Sequence, residues 1–274
     1  MIVRTSLRRN AAKAFRTILG IQTTTKGVFP VFGFKKKAVA PPRKVPVNLG
    51  IIMDGNGRWA KKRGLPRQAG HVTGAKVFRK ITKYCQKCGV QYLTVYAFST
   101  ENWRRPQEEV EAIMNLLRQY LKESLADFQQ ENIVVRFIGN REELAEDIRM
   151  LIAEAEETTA QKTGMTLNIA LNYGGRQEIA AAARELAQKA VAGDIAPSDI
   201  TEDMLEQALY TDDQPPVDLI LRPSGEYRLS NFLIWQSAYA EYVFMDVLWP
   251  DFTEQDLEKA FEEYARRDRR FGGV

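Results

Sequence analysis

The chain has 274 residues, of which 45% are hydrophobic and 27% are charged, and this composition excludes a wholly disordered protein. It also excludes an integral membrane protein, because no stretch approaches the roughly 18 uninterrupted apolar residues of a spanning helix. Two cysteines are too few for a disulfide scaffold. So low a cysteine content suits a reducing compartment, and we predict a cytoplasmic protein.

The net charge of +4 conceals a basic N-terminal segment. Residues 1–53 carry 11 Lys and Arg and no acid, whereas residues 54–274 carry the other 28 bases and all 35 acids. We predict a flexible extension over residues 1–45 and one folded domain over residues 46–274. The extension resembles a transit peptide, but it would also suit peripheral contact with an anionic membrane, or a solvated tail. No aromatic-rich basic face follows it, so nucleic acid is not expected as a partner.

Six short apolar runs in the folded domain alternate with longer periodic segments. Runs of this kind are typical of strands that are buried on both faces, with crossover helices covering the sheet. We therefore predict an α/β domain with a central, mostly parallel six-stranded sheet and helices on both faces. The predicted strands are residues 48–53, 92–98, 133–138, 166–171, 217–221 and 242–245.

Two helices between these strands have clear start signals. One follows Pro106, a favourable first-turn residue, and its apolar stripe from Val110 to Phe128 is predicted to face the sheet. The other is predicted to begin after Asn140, a good N-cap.

Cys85 and Cys88 lie on a third predicted helix that ends at Gly89. The chain has one histidine and no second cysteine pair. Packing in the core is therefore a better explanation of these cysteines than zinc binding.

Four polar segments follow predicted strands. They are residues 54–59, 99–105, 172–176 and 222–226, each with an arginine and three with glycine. The carboxyl ends of parallel strands meet at one edge of a sheet, where ligands bind. Four chance polar loops are the alternative, but their shared edge and composition favour an anion site.

Asp54 is the first acid of the chain and opens an Asp-Gly-Asn-Gly-Arg sequence. Gly55 and Gly57 would let the backbone approach a ligand, and the N–H groups of the next helix would attract phosphate. A carboxylate beside phosphate is repulsive unless a cation lies between them, so we predict Mg²⁺. A plain turn residue is the alternative for Asp54. Nucleotide binding is disfavoured, because no phosphate-loop motif is complete.

Four arginines are candidates for more than one anion pocket: Arg58, Arg67, Arg222 and Arg228. Two pockets would imply two phosphorylated substrates, whereas surface salt bridges are the alternative for any single arginine. His71, the only histidine, could bind phosphate or move a proton, although a lone histidine is ordinarily structural.

Three segments together resemble the cis-prenyltransferase family, and among its members the bacterial undecaprenyl diphosphate synthases. They are residues 54–60 (Asp-Gly-Asn-Gly-Arg-Trp-Ala), residues 96–103 (Tyr-Ala-Phe-Ser-Thr-Glu-Asn-Trp) and residues 222–232, where Arg-Pro-Ser-Gly-Glu precedes Arg-Leu-Ser-Asn-Phe. The resemblance covers residues 46 to 273 and implies that residues 46–274 form a cis-prenyltransferase catalytic domain.

The resemblance implies a homodimeric, Mg²⁺-dependent transferase. Its substrates would be farnesyl diphosphate and isopentenyl diphosphate, which is added repeatedly with cis double bonds. The implied product is undecaprenyl diphosphate, a lipid carrier for cell-wall synthesis. The residues 270–272 resemble a segment that completes the partner subunit's site.

The family's functional positions match particular residues of this chain. By this resemblance Asp54, Ser99 and Asn102 are catalytic. Ser99 and Asn102 would act as proton relays, with a diphosphate oxygen as the alternative proton acceptor. Asp54 and Glu241 match acidic positions that are associated with metal. The allylic diphosphate would lie against residues 55–58 and Arg67. The matched substrate-binding positions are Gly55, Asn56, Gly57, Arg58, Trp59, Arg67, His71, Ser99, Thr100, Glu101, Trp103, Arg105, Arg222, Arg228 and Ser230, of which Arg222, Arg228 and Ser230 would hold isopentenyl diphosphate.

A growing hydrocarbon chain would need an apolar tunnel, and Ala75, Ala97 and Met165 are candidates for its lining, with core packing as the alternative. Two rival functions remain. One is a non-catalytic partner subunit, which is disfavoured because the acids and arginines of the motifs are retained. The other is an enzyme of the same fold that makes shorter or longer chains.

Overall fold

The computed structural model describes residues 44–267, and within this range it describes the backbone but not the side chains of residues 124–129. Of the predicted N-terminal extension, only residues 44 and 45 are described. Residues 270–272, predicted to complete the partner subunit's site, lie outside the described residues. Six strands form one sheet in the order β3-β4-β2-β1-β5-β6, and every pairing is parallel. The strands are β1 Asn48–Ile52, β2 Tyr92–Ser99, β3 Ile133–Ile138, β4 Met165–Tyr173, β5 Leu219–Pro223 and β6 Glu241–Met245.

The apolar runs form strands because side chains on both faces of the sheet are buried. In β1, Leu49 and Ile51 join a large core cluster, whereas Ile52 joins a smaller cluster that also contains Phe232 and Leu233. Successive side chains of a strand point to opposite faces. Two apolar layers therefore enclose the sheet, and the predicted α/β class is confirmed.

Seven α-helices lie between or after the strands in the described chain. The larger core cluster takes residues from α2, α3, α4 and α7, while α5 reaches the smaller cluster through Glu178, which accepts a hydrogen bond from the Tyr173 hydroxyl. No helix within residues 44–267 is both long enough and apolar enough to cross a bilayer. The helices are α1 Asn56–Lys62, α2 Arg67–Cys88, α3 Gln107–Gln130, α4 Glu146–Thr159, α5 Gly175–Ala192, α6 Glu202–Glu206 and α7 Glu254–Ala265.

Helices α2 and α3 agree with the sequence expectations. Gly89 ends α2 in a left-handed conformation with φ of +93°, which glycine adopts without steric cost. On the α3 stripe Val110, Met114 and Leu121 are buried and Ile113 and Leu117 are partly buried, while Phe128 lies among the side chains that are not described. Cys85 is fully buried in the core, as the packing explanation requires.

The predicted start of α4 after Asn140 is wrong, because the helix begins at Glu146. Asn140 is instead held at the end of β4, where its N–H donates to the Asn172 carbonyl at 3.1 Å. Its side chain accepts from the N–H of Glu142 at 3.1 Å, forming a local turn. The side chain that was expected to cap a helix therefore stabilises a loop.

Candidate functional site

A cavity of about 620 Å³ opens at the carboxyl edge of the sheet. It lies beside the ends of β1, β2 and β5, which are neighbours in the sheet. Fourteen residues of the predicted site line it: Asp54, Gly55, Asn56, Gly57, Arg58, Arg67, His71, Ser99, Glu101, Asn102, Arg105, Arg222, Arg228 and Ser230.

Asp54 occupies the centre of this edge, two residues after β1. Its Oδ2 atom accepts hydrogen bonds from Ser224 Oγ at 2.8 Å, from Arg222 Nη2 at 2.9 Å and from Arg58 Nη2 at 3.1 Å. The other oxygen, Oδ1, takes part in none of these three contacts. The protein thus fixes one oxygen of the carboxylate, and the other oxygen is available to a ligand in the cavity.

The Asp54 carboxyl group is a stronger acid than usual. Burial alone would raise its pKa, but hydrogen bonds from Arg222 and Ser224, and the positive charges of Arg222 and Arg58, lower the pKa below its ordinary value. Asp54 is therefore ionised at neutral pH. An ionised carboxylate is the kind of oxygen ligand that Mg²⁺ prefers.

Arg222 at the end of β5 is almost completely buried, with 4% of its side chain exposed. Its guanidinium donates to Ser230 Oγ at 2.9 Å and to the Arg228 carbonyl, in addition to Asp54. These contacts tie the loop after β5 to the Asp54 carboxylate. A buried charge held in this way needs its partner, because removing one member of a buried pair leaves the other uncompensated.

Glu226 contacts two further arginines of the cavity, Arg58 and Arg228, which are more exposed than Arg222. Its Oε1 lies 3.0 Å from Arg58 Nη1, and its Oε2 is paired with Arg228. The two guanidiniums are thereby held on one side of the cavity. Glu226 belongs to the segment that the sequence singled out, although no role was predicted for it.

Ser99 and Asn102 lie at the junction of β2 with a 3₁₀ turn at Thr100–Arg104. The Ser99 N–H donates to Asn102 Oδ1 at 3.2 Å, so the Asn102 side chain binds the backbone at the start of this turn. Glu101 accepts a hydrogen bond from Asn231 Nδ2 at 2.9 Å, which links this turn to the loop after β5.

Glu109, from the first turn of α3, contacts three residues that the sequence predicted for the site. Its Oε2 lies 3.1 Å from Arg67 Nη1, and its Oε1 lies 3.0 Å from Arg105 Nη1 and 3.7 Å from His71 Nε2. Burial lowers the pKa of His71, and Arg105 and Arg67 lower it further, while Glu109 opposes them. The imidazole is therefore neutral at pH 7.

A smaller apolar cavity of about 110 Å³ adjoins the polar one. The second cavity is lined by Ala75, Phe78 and Leu117 among others, and Met53, Asn56, His71, Ala97 and Ile113 line both. Of the residues suggested for an apolar tunnel, Ala75 and Ala97 line this space, whereas Met165 is buried in the core cluster.

Several buried polar atoms of the site have no hydrogen-bond partner among the described residues. They are Asn56 Oδ1, His71 Nε2 and Arg222 Nε. Buried polar groups are rarely left unsatisfied in folded proteins. Their position in one cavity suits the binding of a polar ligand.

Four predicted site residues do not line the cavity. Trp59 Nε1 donates to Asp251 at 2.6 Å, Trp103 Nε1 donates to Asn172 at 2.8 Å, and Thr100 is held within the 3₁₀ turn. Glu241 begins β6 at the amino edge of the sheet and pairs with Arg267 at 3.0 Å. Because the amino and carboxyl edges are opposite, Glu241 does not join Asp54 in a metal site within a single described chain.

The sequence expectations assigned no site role to Glu109 or Asn231, which also line the cavity. Glu109 reads from sequence only as a favourable acid in the first turn of a helix. Asn231 follows Ser230 in a segment that the resemblance did quote, and its φ of +66° turns the chain beside Glu101. Nothing in the local pattern points to Glu109, since its contacts come from α2 and from the segment after β2.

Comparison with known proteins identifies the family of the chain. Residues 52–272 match the family model described as "Putative undecaprenyl diphosphate synthase". An isoprenyl transferase of Clostridium perfringens is 50% identical over 231 residues, which cover 84% of this chain and 91% of that protein.

Two solved structures are similar in fold. Lavandulyl diphosphate synthase from Lavandula x intermedia, in complex with dimethylallyl diphosphate, has a TM-score of 0.81 and 37% identity, covering 83% of this chain and 98% of that chain. A probable undecaprenyl diphosphate synthase from Campylobacter jejuni has a TM-score of 0.70 and 33% identity, covering 84% and 100%. The motifs, the parallel sheet and these matches agree, and the chain belongs to the undecaprenyl diphosphate synthase family of cis-prenyltransferases.

Proposed function

We propose that the protein adds isopentenyl diphosphate repeatedly to farnesyl diphosphate, with new cis double bonds, to make undecaprenyl diphosphate for use as a cell-wall lipid carrier. The observation that carries this proposal is that an arginine-rich cavity and an apolar one lie side by side and share five lining residues. Such a space suits ligands with an anionic head and a hydrocarbon tail. The matched family model and the isoprenyl transferase relatives support the same substrate class.

The charges of the larger cavity favour diphosphates. Its lining includes five arginines against three carboxylates, those of Asp54, Glu101 and Glu109, and the five arginines are Arg58, Arg67, Arg105, Arg222 and Arg228. Guanidinium groups match phosphate oxygens in pairs. We assign the allylic diphosphate to the segment 55–58 with Arg67, and isopentenyl diphosphate to Arg222, Arg228 and Ser230.

Asp54 is our proposed Mg²⁺ ligand. No group of three or more His, Cys, Asp or Glu residues within 44–267 could hold a metal on its own. Mg²⁺ keeps several waters and is commonly bound through one carboxylate and substrate phosphates, so the ionised Asp54 fits it. When bound, Mg²⁺ neutralises negative charge on diphosphate oxygens. Glu241 has no part in this site within one chain.

The residues of the chain would promote the reaction mainly by orientation and electrostatics. As the allylic carbon–oxygen bond breaks, the arginines stabilise the charge that gathers on the departing diphosphate. The double bond of isopentenyl diphosphate then bonds to the allylic carbon, and a proton leaves the carbon next to the new cation. Ser99 and Asn102 are relay candidates for this proton, with a diphosphate oxygen as the alternative acceptor. The two anion sites fix the geometry of approach.

We extend the proposal to a homodimer that contacts membranes peripherally. The edge strand β6 supports a dimer, because the rings of Tyr242 and Phe244 stack 6.3 Å apart on a strand of which only Val243 is buried. An incompletely buried apolar edge suits a second copy of the chain. The basic composition of residues 1–45 supports contact with anionic lipid.

The decisive test uses the full chain with labelled isopentenyl diphosphate, farnesyl diphosphate and Mg²⁺. We expect a long-chain polyprenyl diphosphate, no incorporation with excess EDTA, and recovery when Mg²⁺ is restored. Asp54→Asn should lower kcat about 100-fold or more, whereas Asp194→Asn, an exposed acid after α5, should not. Asp54→Asn should also lower the stability of the protein, because Arg222 loses its charged partner. The assays must therefore be run at a temperature below the unfolding midpoint of this variant.

Incorporation that persists in EDTA, or normal turnover by Asp54→Asn, would refute the proposal. A parallel reaction with dimethylallyl diphosphate as primer tests the alternative of a short-chain synthase. The similarity to lavandulyl diphosphate synthase is the observation that supports this alternative. A single condensation that stops at a short product would establish it.

A further inference from the structure

The Glu109 carboxylate is an acid in a cavity that is proposed to bind anions. Only 9% of its side chain is exposed, and it contacts Arg67, Arg105 and His71, which come from α2 and from the segment before α3. A carboxylate beside a diphosphate repels it. Its presence at this point therefore needs a compensating role.

The geometry indicates what that role is. Each oxygen of Glu109 takes one guanidinium: Oε2 holds Arg67 and Oε1 holds Arg105. Arg67 is 64% exposed and Arg105 is 37% exposed, so each would otherwise sample many rotamers. Arginine has five N–H donors, and one contact to Glu109 leaves the others for a ligand. With His71 neutral, the group keeps a net charge of +1.

A purely local explanation also exists, since acids in the first turn stabilise a helix through its dipole. Glu108 is in the same turn of α3 and shares any such effect. Glu108 is exposed and does not line the cavity, unlike Glu109. The pair therefore separates a helix effect from an effect on the site.

We propose that Glu109 is a positioning residue that holds Arg67 in place for the allylic diphosphate and fixes Arg105 beside it. This inference rests on the proposed function and deepens it. Fixing the two side chains in advance removes an entropic cost that would otherwise be incurred when the diphosphate binds. Glu109 acts through the two arginines and does not itself contact the substrate.

The test compares Glu109→Gln with Glu108→Gln in the full chain. In Glu109→Gln the KM for farnesyl diphosphate should rise about 10- to 100-fold, with a much smaller change in the KM for isopentenyl diphosphate, because misplaced clamp residues weaken one site. Glu108→Gln should match the wild type in both constants. Unchanged constants in Glu109→Gln, or equal changes in the two variants, would overturn the proposal.

The second readout does not depend on catalysis. His71 is the only histidine, so its imidazole signals in an NMR titration of the ligand-free, untagged protein between about pH 5 and pH 8 are unambiguous. Glu109 raises the pKa of His71, against burial and the charges of Arg105 and Arg67. Glu109→Gln should therefore lower the pKa of His71, and Glu108→Gln should leave it unchanged. An equal pKa in all three proteins would contradict the contact.

Glu109→Asp is the second variant should Glu109→Gln fold poorly, because it keeps the charge but withdraws it from the guanidiniums. It should also raise the KM for farnesyl diphosphate, and an unchanged KM would count against the proposal.

The proposed function and the positioning role of Glu109 can be refuted independently of each other. A wild-type protein that incorporates no isopentenyl diphosphate refutes the proposed function, whereas an active enzyme that is indifferent to Glu109→Gln refutes only the positioning role.

Discussion

The two oxygens of Asp54 have different environments. Oδ2 is saturated by Arg58, Arg222 and Ser224, and Oδ1 takes part in none of those contacts. Because the pKa of Asp54 in the folded protein lies below its ordinary value, ionisation contributes to stability at neutral pH. That contribution is lost as the pH falls through the folded pKa. The same contacts that orient the carboxylate thus keep it charged.

Ser224 achieves its contact with Asp54 at the expense of backbone strain. Its φ is +96°, a region that residues with a side chain rarely adopt, and the residue is 6% exposed. Strain of this kind persists when the surrounding structure enforces it. Here the N–H of Ser224 donates to the Val247 carbonyl at 2.8 Å while its hydroxyl donates to Asp54.

Two substitutions of Ser224 should therefore differ in a predictable order. Ser224→Ala loses the hydrogen bond and keeps the strain, while Ser224→Gly loses the hydrogen bond and relieves the strain. We expect Ser224→Gly to be the more stable variant by about 1 kcal/mol. Urea unfolding of both variants measures this difference. A Ser224→Ala protein that is as stable as Ser224→Gly would show that the backbone is not strained there.

At the scale of elements, the first part of the site depends on how closely α1 approaches α2. A side chain at Gly70 of α2 would place its Cβ 2.0 Å from the Asn56 carbonyl oxygen, and one at Gly74 would place it 2.4 Å from Asn56 Oδ1. Asn56 begins α1 and Gly57 follows it, so the absence of these side chains sets the position of the segment proposed for the allylic diphosphate.

Gly70→Ala should accordingly push α1 away from α2. Alanine in place of glycine within a helix is by itself stabilising by about 1 kcal/mol, but the clash with backbone should reverse the sign and destabilise the protein by about 1–3 kcal/mol. We also expect a higher KM for the allylic substrate. Lys76→Ala, an exposed change on the same helix, is the control and should be nearly neutral. Increased stability of Gly70→Ala in thermal or urea unfolding would rule out the close contact.

At the scale of the whole molecule, the sequence predicts the sheet well because burial on both faces leaves a plain apolar pattern. It also predicts the edge where Asp54, Ser99 and Arg222 meet, because the carboxyl ends of parallel strands converge. It does not predict side-chain direction. Trp59 belongs to the Asp54 motif, yet its side chain donates a hydrogen bond to Asp251, which is 192 residues away in the sequence.

The start of α4 and the role of Glu109 are hidden for a related reason. Asn140 has the local character of a helix cap, but its contact with the end of β4 depends on a residue 32 positions away. Glu109 has the local character of a helix-dipole acid, and its partners come from another helix. Local patterns record propensity, whereas these contacts are set by tertiary packing.

The uneven charge of the chain leads to the last prediction, which concerns residues 1–43. They hold ten of the eleven bases that precede Asp54, and no acid. Lys44, which follows them, contacts the Arg267 carbonyl at 3.3 Å and lies over the Tyr264 ring, so a truncation after residue 43 keeps these contacts. We expect the truncated protein to keep the unfolding midpoint and the kcat of the full chain. It should lose binding to vesicles that contain anionic lipid, because each basic residue near such a surface contributes about 1 kcal/mol.

Binding of the full chain to anionic vesicles should weaken as the salt concentration is raised, and the full chain should not bind zwitterionic vesicles. Co-sedimentation measures both. Equal sedimentation of the two proteins with anionic vesicles would exclude the extension as the membrane contact, and failure of the truncated protein to fold would refute the predicted domain boundary.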